Sequence, residues 1–143
     1  MPLISANINA NTWFATCPKG VESLLAVELR NLGAESTRET VAGVHFTGPS
    51  ALAYRACLWS RLANRVLWPL AQLDAADGDS LYRTMKDIDW GRLFQFQKTI
   101  AIDFSGENHA IRNTQFGAQR CKDAIVDRFV ETAGQRPSVD RTN

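Results

Sequence analysis

A run of polar side chains in the second half of the chain is the part of the sequence best equipped to bind a ligand. An alternating stretch, IDFS, ends at Ser105-Gly106, and a long helical pattern begins around Arg112 and Asn113. Positive charge and the N–H groups of a helix N-terminus meet there, and together they can hold a phosphate backbone. The residues that could make such contacts are Ser105, Arg112, Asn113, Gln115, Gln119 and Lys122.

Helical periodicity leaves a second explanation open for these residues. Gln115, Gln119 and Lys122 recur at steps of four and three, so they share one helix face. Exposed helix faces usually carry such residues, and Asp123 and Asp127 are near enough in sequence to neutralise the cation. Spacing alone therefore favours an ordinary solvated face.

A second cationic patch follows Trp59 in the sequence WSRLANR. Arginines interleaved with an aromatic residue can hold RNA through charge and stacking. Packing in the core is the simpler explanation of Trp59 and Trp68, whereas Arg61 and Arg65 remain candidates for RNA contact.

The sequence offers no catalytic constellation. It has no Gly-rich phosphate-binding loop, no Gly-x-Ser-x-Gly elbow and no His-Glu-x-x-His pair. Asp87 and Asp89 are explained by a turn and a helix cap. His45 and His109 have no Cys or His neighbour at ligand spacing. We therefore expect no catalytic residue and no metal site in this segment.

The charge balance restricts any nucleic-acid contact to a local patch. The 143 residues carry 16 Lys and Arg against 15 Asp and Glu, and the pI is about 7.7. Domains that bind nucleic acid by themselves are usually more basic.

Three cysteines without a Cys-x-x-Cys pair favour a reducing compartment. With no signal-peptide pattern and no membrane-spanning run, the sequence predicts a cytoplasmic protein.

The elements that position these residues fall into two domains of an α+β protein. Residues 1–12 are predicted to be a disordered lead-in. Between residues 13 and 73 the periodicities alternate as strand-helix-strand-strand-helix-strand, which is the ferredoxin-like βαββαβ order. Pro69 cannot donate to a ladder, so the last strand is expected at a sheet edge.

A second domain is predicted over residues 74–143, after an acidic loop. Its elements are expected at Leu81–Lys86, with Asp79 or Ser80 as cap, at Trp90–Phe94, Thr99–Ser105 and Asn113–Ala133. One strand cannot form a sheet alone, so the chain is expected to be a piece of a longer protein.

Three segments together resemble one family. They are Cys17–Glu22 with the leucine-rich helix after it, Cys57–Arg65, and Phe104–Asp127. They are similar to the N-terminal region of the RlmL or fused RlmKL type of bacterial ribosomal RNA guanine-N2 methyltransferases. That region joins a ferredoxin-like domain to a THUMP domain, an RNA-binding module of RNA-modifying enzymes.

The resemblance implies a function for the segment and for the protein that would contain it. The segment would bind large-subunit (23S) ribosomal RNA, which raises the expectation of RNA contact for Arg112, Asn113, Gln115, Gln119 and Lys122. S-adenosylmethionine and the catalytic residues would belong to a methyltransferase domain further along the same chain. The THUMP domain would be incomplete (truncated) at its C-terminus.

Two other functions remain open on the sequence. Ferredoxin-like folds also serve as protein-interaction or ligand-sensing modules, and fold alone does not decide between these roles. A THUMP region also fits an enzyme that modifies transfer RNA.

Overall fold

The computed structural model describes residues 11–140, and within that range the chain divides into two compact units, 11–71 and 72–140. The predicted lead-in lies outside the described residues except for its last two positions. Of these, Thr12 already belongs to the first strand, where it pairs with Thr47.

The first unit is a four-stranded antiparallel sheet with two helices. Its sheet order, β2-β3-β1-β4, and its βαββαβ sequence of elements confirm the ferredoxin-like prediction. The last strand lies at an edge, as Pro69 predicts, and it ends at Leu67, two residues before that proline. The elements are β1 Thr12–Thr16, α1 Glu22–Asn31, β2 Ser36–Thr40, β3 Gly43–Thr47, α2 Ser50–Trp59 and β4 Arg65–Leu67.

The core of the first unit forms where α1 and α2 pack on one face of this sheet. Side chains alternate across a strand, so every second strand residue points to the helices. Fully buried side chains of the sheet and helices make up this core: Ala15, Val44, Phe46, Leu25, Leu29, Leu52 and Ala56. The strand residues between these buried positions point their side chains to the other sheet face, away from α1 and α2.

The second unit contains two α-helices, one 3₁₀ turn and a two-stranded parallel sheet. The elements are α3 Gly78–Lys86, the 3₁₀ turn Trp90–Arg92, β5 Thr99–Ile100, α4 Thr114–Ala133 and β6 Ser138–Val139. The cap of α3 is Asp77, which accepts from the Ser80 N–H while the Ser80 hydroxyl accepts from the Asp77 N–H. The predicted cap at Asp79 or Ser80 is therefore wrong by two or three positions.

The predicted strand Thr99–Ser105 is mostly irregular. Pairing with β6 ends at Ile100, because Ser138 and Val139 are the two partners available to it among residues 11–140. The side chains of Ile102 and Phe104 nevertheless pack inward, so the alternation that predicted a strand reflects burial rather than a hydrogen-bonded ladder.

Helix α4 packs along α3 and carries six of the buried residues of the second unit. Cys121, Ile125 and Phe129 recur at steps of four residues and are buried, whereas Ala118, three residues before Cys121, is only half-buried. Gly117 is buried beside it. No helix among the described residues is long and apolar enough to cross a membrane.

Candidate nucleic-acid interface

The loop that leads into α4 is held in place by the Asn108 side chain. Its Oδ1 accepts from the N–H groups of Ala110 at 2.9 Å and Ile111 at 2.7 Å, and its Nδ2 donates to the Ala75 carbonyl at 2.6 Å. Ile111 is buried directly afterwards, with 1% of its surface exposed. These contacts determine where the neighbouring Arg112 stands. Asn is a common turn residue for this reason, so the signal was present in the sequence.

Asn113 is the N-cap of α4. Its Oδ1 accepts from the N–H of Gln115 at 2.8 Å and more weakly from that of Phe116 at 3.4 Å. Two of the N–H groups that a phosphate could use at this helix end are therefore already bonded. An anion here would depend on the Arg112 guanidinium and on the amide NH₂ of Asn113.

Replacing Asn113 with alanine is expected to lower the free energy of unfolding of the second unit by about 1 kcal/mol, because the cap acceptor is lost. Asn113→Asp keeps the acceptor and adds a negative charge that the helix N-terminus favours, so it should retain stability. Hydrogen exchange of the first α4 amides measures the change in stability caused by each of the two substitutions. Equal destabilisation by the two changes would contradict the cap.

Gln115, Gln119 and Lys122 follow one another at steps of four and three along one side of α4, and Arg112 and the cap Asn113 stand at the N-terminal end of this helix. We call these five residues the α4 polar face. The side is about 13 Å long from Asn113 to Lys122, at 1.5 Å per residue. Gln115 and Gln119 are exposed. Arg112 is exposed and donates from Nε to the His109 carbonyl at 3.2 Å.

Lys122 is the less available of the two cations on this face. It is half-buried, and its Nζ lies 3.1 Å from Oδ1 of Asp123. A surface ion pair of this kind contributes little stability, so a phosphate can compete for the ammonium group. The other acid near the face, Asp127, accepts a hydrogen bond from the Tyr82 hydroxyl, which with burial raises the Tyr82 pKa. Asp127 is thus directed to α3.

Ser105 is brought next to α4 by its neighbour Phe104. A Cβ added to Gly117 would lie 2.5 Å from the Phe104 ring, so only glycine permits this close approach. Ser105 itself is exposed. The structure therefore gathers the six candidates of the second unit around the N-terminal half of one helix.

Arg61 and Arg65 belong to the first unit. Their backbone N–H groups donate to Glu28 Oε1 at 2.9 Å and to Thr16 Oγ1 at 3.1 Å. Both side chains are exposed, and within residues 11–140 neither guanidinium makes a hydrogen bond or an ion pair. They remain available to an anion.

Core packing was the wrong explanation for Trp59. Its side chain is 64% exposed, because it is the last residue of α2 and lies one turn beyond Ala56, the last buried position. Trp68 is 40% exposed, and its ring centroid lies 6.0 Å from that of Trp13. It packs only at the margin of the first unit.

Sequence reasoning missed Arg120, which joins α3 to α4. Its guanidinium carbon lies 4.7 Å from the centre of the Tyr82 ring, and its nitrogens bond the Gly78 carbonyl at 3.3 Å and Asp79 at 3.0 Å. No local pattern marks this residue, since its partners lie about 40 positions earlier.

In the part of the chain that the structure describes, no cluster of His, Cys, Asp and Glu could hold a metal.

Comparison with family models assigns both halves of the chain. Residues 12–67 match the RlmL ferredoxin-like domain, and residues 75–143 match the THUMP domain. The chain belongs to these two domain families, in that order.

Three of the curated relatives that match this chain share one name. Ribosomal RNA large subunit methyltransferase K/L of Aeromonas hydrophila is 57% identical over 129 residues, 90% of this chain and 18% of the relative. The proteins of that name from Methylococcus capsulatus and Pseudomonas aeruginosa are 55% and 47% identical over 89% and 91% of this chain. They too are matched over only 17% and 18% of their length. The chain therefore spans less than a fifth of these relatives.

Solved structures share the fold. The crystal structure of SMU.472, described as a candidate methyltransferase complexed with SAH, matches with a TM-score of 0.80 at 21% identity. A candidate methylase from Clostridium difficile 630 matches with a TM-score of 0.76 at 23% identity. The matches cover 90% and 91% of this chain and 35% of each structure. At these identities they establish the fold alone.

Proposed function

We propose that this chain is the RNA-binding segment of a ribosomal RNA large subunit methyltransferase, and that it positions the RNA for catalysis elsewhere in the protein. The α4 polar face is the observation that carries the proposal. It presents two cations and three amides at the N-terminal end and along one side of a helix whose preceding loop is held by Asn108. The name of the relatives supports ribosomal RNA as the polymer.

The chemistry of the side chains on the α4 polar face assigns RNA binding to this segment and catalysis to another domain. Arginine, lysine and amide groups hold phosphates and base edges, but none of them is paired with a nucleophile or general base here. The strand-to-helix loop before α4 contains one glycine, Gly106, and lacks the glycine-rich turn that lets a backbone approach an adenosine cofactor. This loop therefore does not fit S-adenosylmethionine, and we assign cofactor, guanine-N2 transfer and catalysis to a downstream domain. Such an enzyme works in the cytoplasm.

The near-neutral charge of the chain is consistent with a positioning role. Phosphate contacts fix the register and orientation of a nucleic acid without reading its sequence. A few contacts from one helix suffice when another domain supplies most of the affinity. The amides Gln115 and Gln119 add donors and acceptors without adding charge.

Charge reversal on the α4 polar face tests this proposal. In the intact protein, Arg112→Glu and Lys122→Glu are each expected to weaken binding of structured ribosomal RNA about tenfold and to reduce the salt slope of binding by about 1, because a phosphate contact is lost. Filter binding or fluorescence anisotropy at several salt concentrations measures both quantities.

Arg92→Glu is the matched control, since Arg92 is an exposed arginine in the 3₁₀ turn of the same unit and lies outside the face. Its affinity and salt slope should stay close to wild type. If both face variants also behaved like wild type, the assignment of RNA binding to the α4 polar face would be wrong.

An apolar helix surface favours protein contact as a second function of the first unit. Tyr54, Leu58 and Trp59 on α2 are 76%, 75% and 64% exposed. Exposed apolar clusters of this kind mark interaction surfaces. Within the proposed enzyme the partner would be its own downstream domain. Limited proteolysis of the intact protein with Leu58→Ser should then show increased cleavage between domains, whereas unchanged cleavage would remove this candidate.

A further inference from the structure

One face of the sheet in the first unit is turned away from both helices. Ala15, Val44 and Phe46 point to α1 and α2, so the residues between them point the other way. We call this the open sheet face. Its side chains are Thr12, Phe14, Thr16, Ser36, Arg38, Thr40, His45, Thr47, Arg65 and Leu67, with Gly43 among them.

A continuous cross-strand row runs through the middle of the open sheet face. Arg38 of β2 pairs with His45 of β3, His45 with Phe14 of β1, and Phe14 with Leu67 of β4. Paired residues in adjacent strands stand about 5 Å apart, so a cation, two aromatic rings and an apolar side chain are neighbours. Arg65 lies in the next row, opposite Thr16.

The two rings form a platform at the centre of the sheet. The centroids of Phe14 and His45 lie 4.5 Å apart with 41° between the ring planes. The Phe14 ring packs directly against Gly43. A Cβ added to Gly43 would come within 2.3 Å of this ring. Partial burial and the nearby Arg38 both lower the His45 pKa, so its imidazole is neutral near pH 7. Flat, uncharged rings on a sheet can stack with a base.

The charge of the open sheet face is of one sign. Arg38 and Arg65 are exposed on it, and none of its positions is an aspartate or glutamate. The one acid in these four strands, Glu39, points to α1 and accepts from the Ser23 hydroxyl at 2.9 Å. A chain with a net charge of only +1 therefore presents a purely cationic surface here.

We propose that the open sheet face binds a single-stranded stretch of RNA, with a base stacked on Phe14 and His45 and phosphates held by Arg38 and Arg65. Four-stranded sheets with central aromatic residues bind single strands in this way. The inference rests on the proposed function for the choice of RNA. It adds a second contact area in the other unit, one suited to unpaired nucleotides.

The test compares single-stranded and duplex RNA oligonucleotides of equal length as ligands of the intact protein. Phe14→Leu keeps an apolar side chain over Gly43 and removes the stacking surface. We expect it to weaken single-strand binding about fivefold or more, since a base stacked on an aromatic ring contributes about 1–3 kcal/mol. Duplex binding and the salt slope should not change, because no charge is removed.

The charged partners give a distinct signature. Replacing Arg38 and Arg65 together with glutamine should reduce the salt slope by about 2, one for each phosphate contact. Leu24→Ala is the control, a truncation of an apolar side chain at a 60% exposed position on α1, outside the open sheet face. It should leave single-strand affinity unchanged. Hydrogen exchange in β1 and β3 verifies that Phe14→Leu retains the sheet.

The outcomes separate this inference from the proposed function. If Phe14→Leu binds single strands as tightly as wild type while Arg112→Glu loses RNA affinity, the open sheet face is not an RNA site and the proposed function stands. If neither variant loses affinity, both are overturned. Self-association of the protein that Phe14→Leu abolishes, with RNA binding unchanged, would make the face a protein interface and overturn the inference.

Discussion

Replacing Ile111 with alanine is expected to destabilise the second unit by about 2–5 kcal/mol, the cost of emptying a fully buried aliphatic position. Ile111 is 1% exposed and packs with Leu81 and Cys121 in the core between α3 and α4. Its N–H and carbonyl also bond Asn108, at 2.7 and 3.0 Å. Alanine keeps these two backbone bonds, so the expected cost comes from the lost core packing of the Ile111 side chain.

Hydrogen exchange followed by mass spectrometry on α4 peptides measures this effect without assuming that the two units unfold together. Ile111→Val should cost only about 0.5–1.5 kcal/mol, because one methylene is removed. Val130→Ala, at a 47% exposed position of the same helix, should be nearly neutral. A cost for Ile111→Ala no larger than that of Val130→Ala would contradict the role of Ile111 as an anchor.

Gly43→Ala is expected to destabilise the first unit by about 1–3 kcal/mol through overpacking. The new Cβ would stand 2.3 Å from the Phe14 ring and 2.8 Å from the Ala15 carbonyl oxygen. The ring could move, but the carbonyl is part of the β1–β3 ladder and cannot move without breaking it. The small strand preference for alanine over glycine does not offset this cost.

Chemical denaturation followed by exchange of β1 and β3 amides measures the change. Gly91→Ala provides the matched control, because the nearest atom to its added Cβ is 3.6 Å away, an ordinary contact. Its stability should match wild type. If Gly43→Ala were equally neutral, the Phe14 ring would not lie over Gly43, and the platform of the open sheet face would lose its support.

The first unit was predictable because its signals are local and strong. Helical spacing of leucines, the Pro18 and Gly33 boundaries and strict strand alternation each depend on residues a few positions apart. Helix α1 begins at Glu22 and not at Pro18, since residues 18–21 form a turn before it. Such shifts of an element boundary leave the fold unchanged.

The second unit was harder to predict because its decisive contacts are distant in sequence. Thr99–Ser105 has the alternation of a strand, yet a ladder needs a partner, and β6 pairs with two of its residues. Arg120 finds Tyr82 and Asp79 only after α3 packs on α4. The family resemblance predicted the RNA-binding segment where periodicity alone favoured a solvated face.

The sequence by itself determined the order of elements in the first unit, the two domain families and the polar content of α4, because these depend on side-chain type and short-range spacing. Only the tertiary structure decided which side chains become neighbours. In the folded chain the Asn113 side chain caps helix α4. Strand pairing brings Phe14 of β1 next to His45 of β3, although the two residues are 31 positions apart. The physical reason is strand register, which places distant residues side by side and cannot be read from either strand alone.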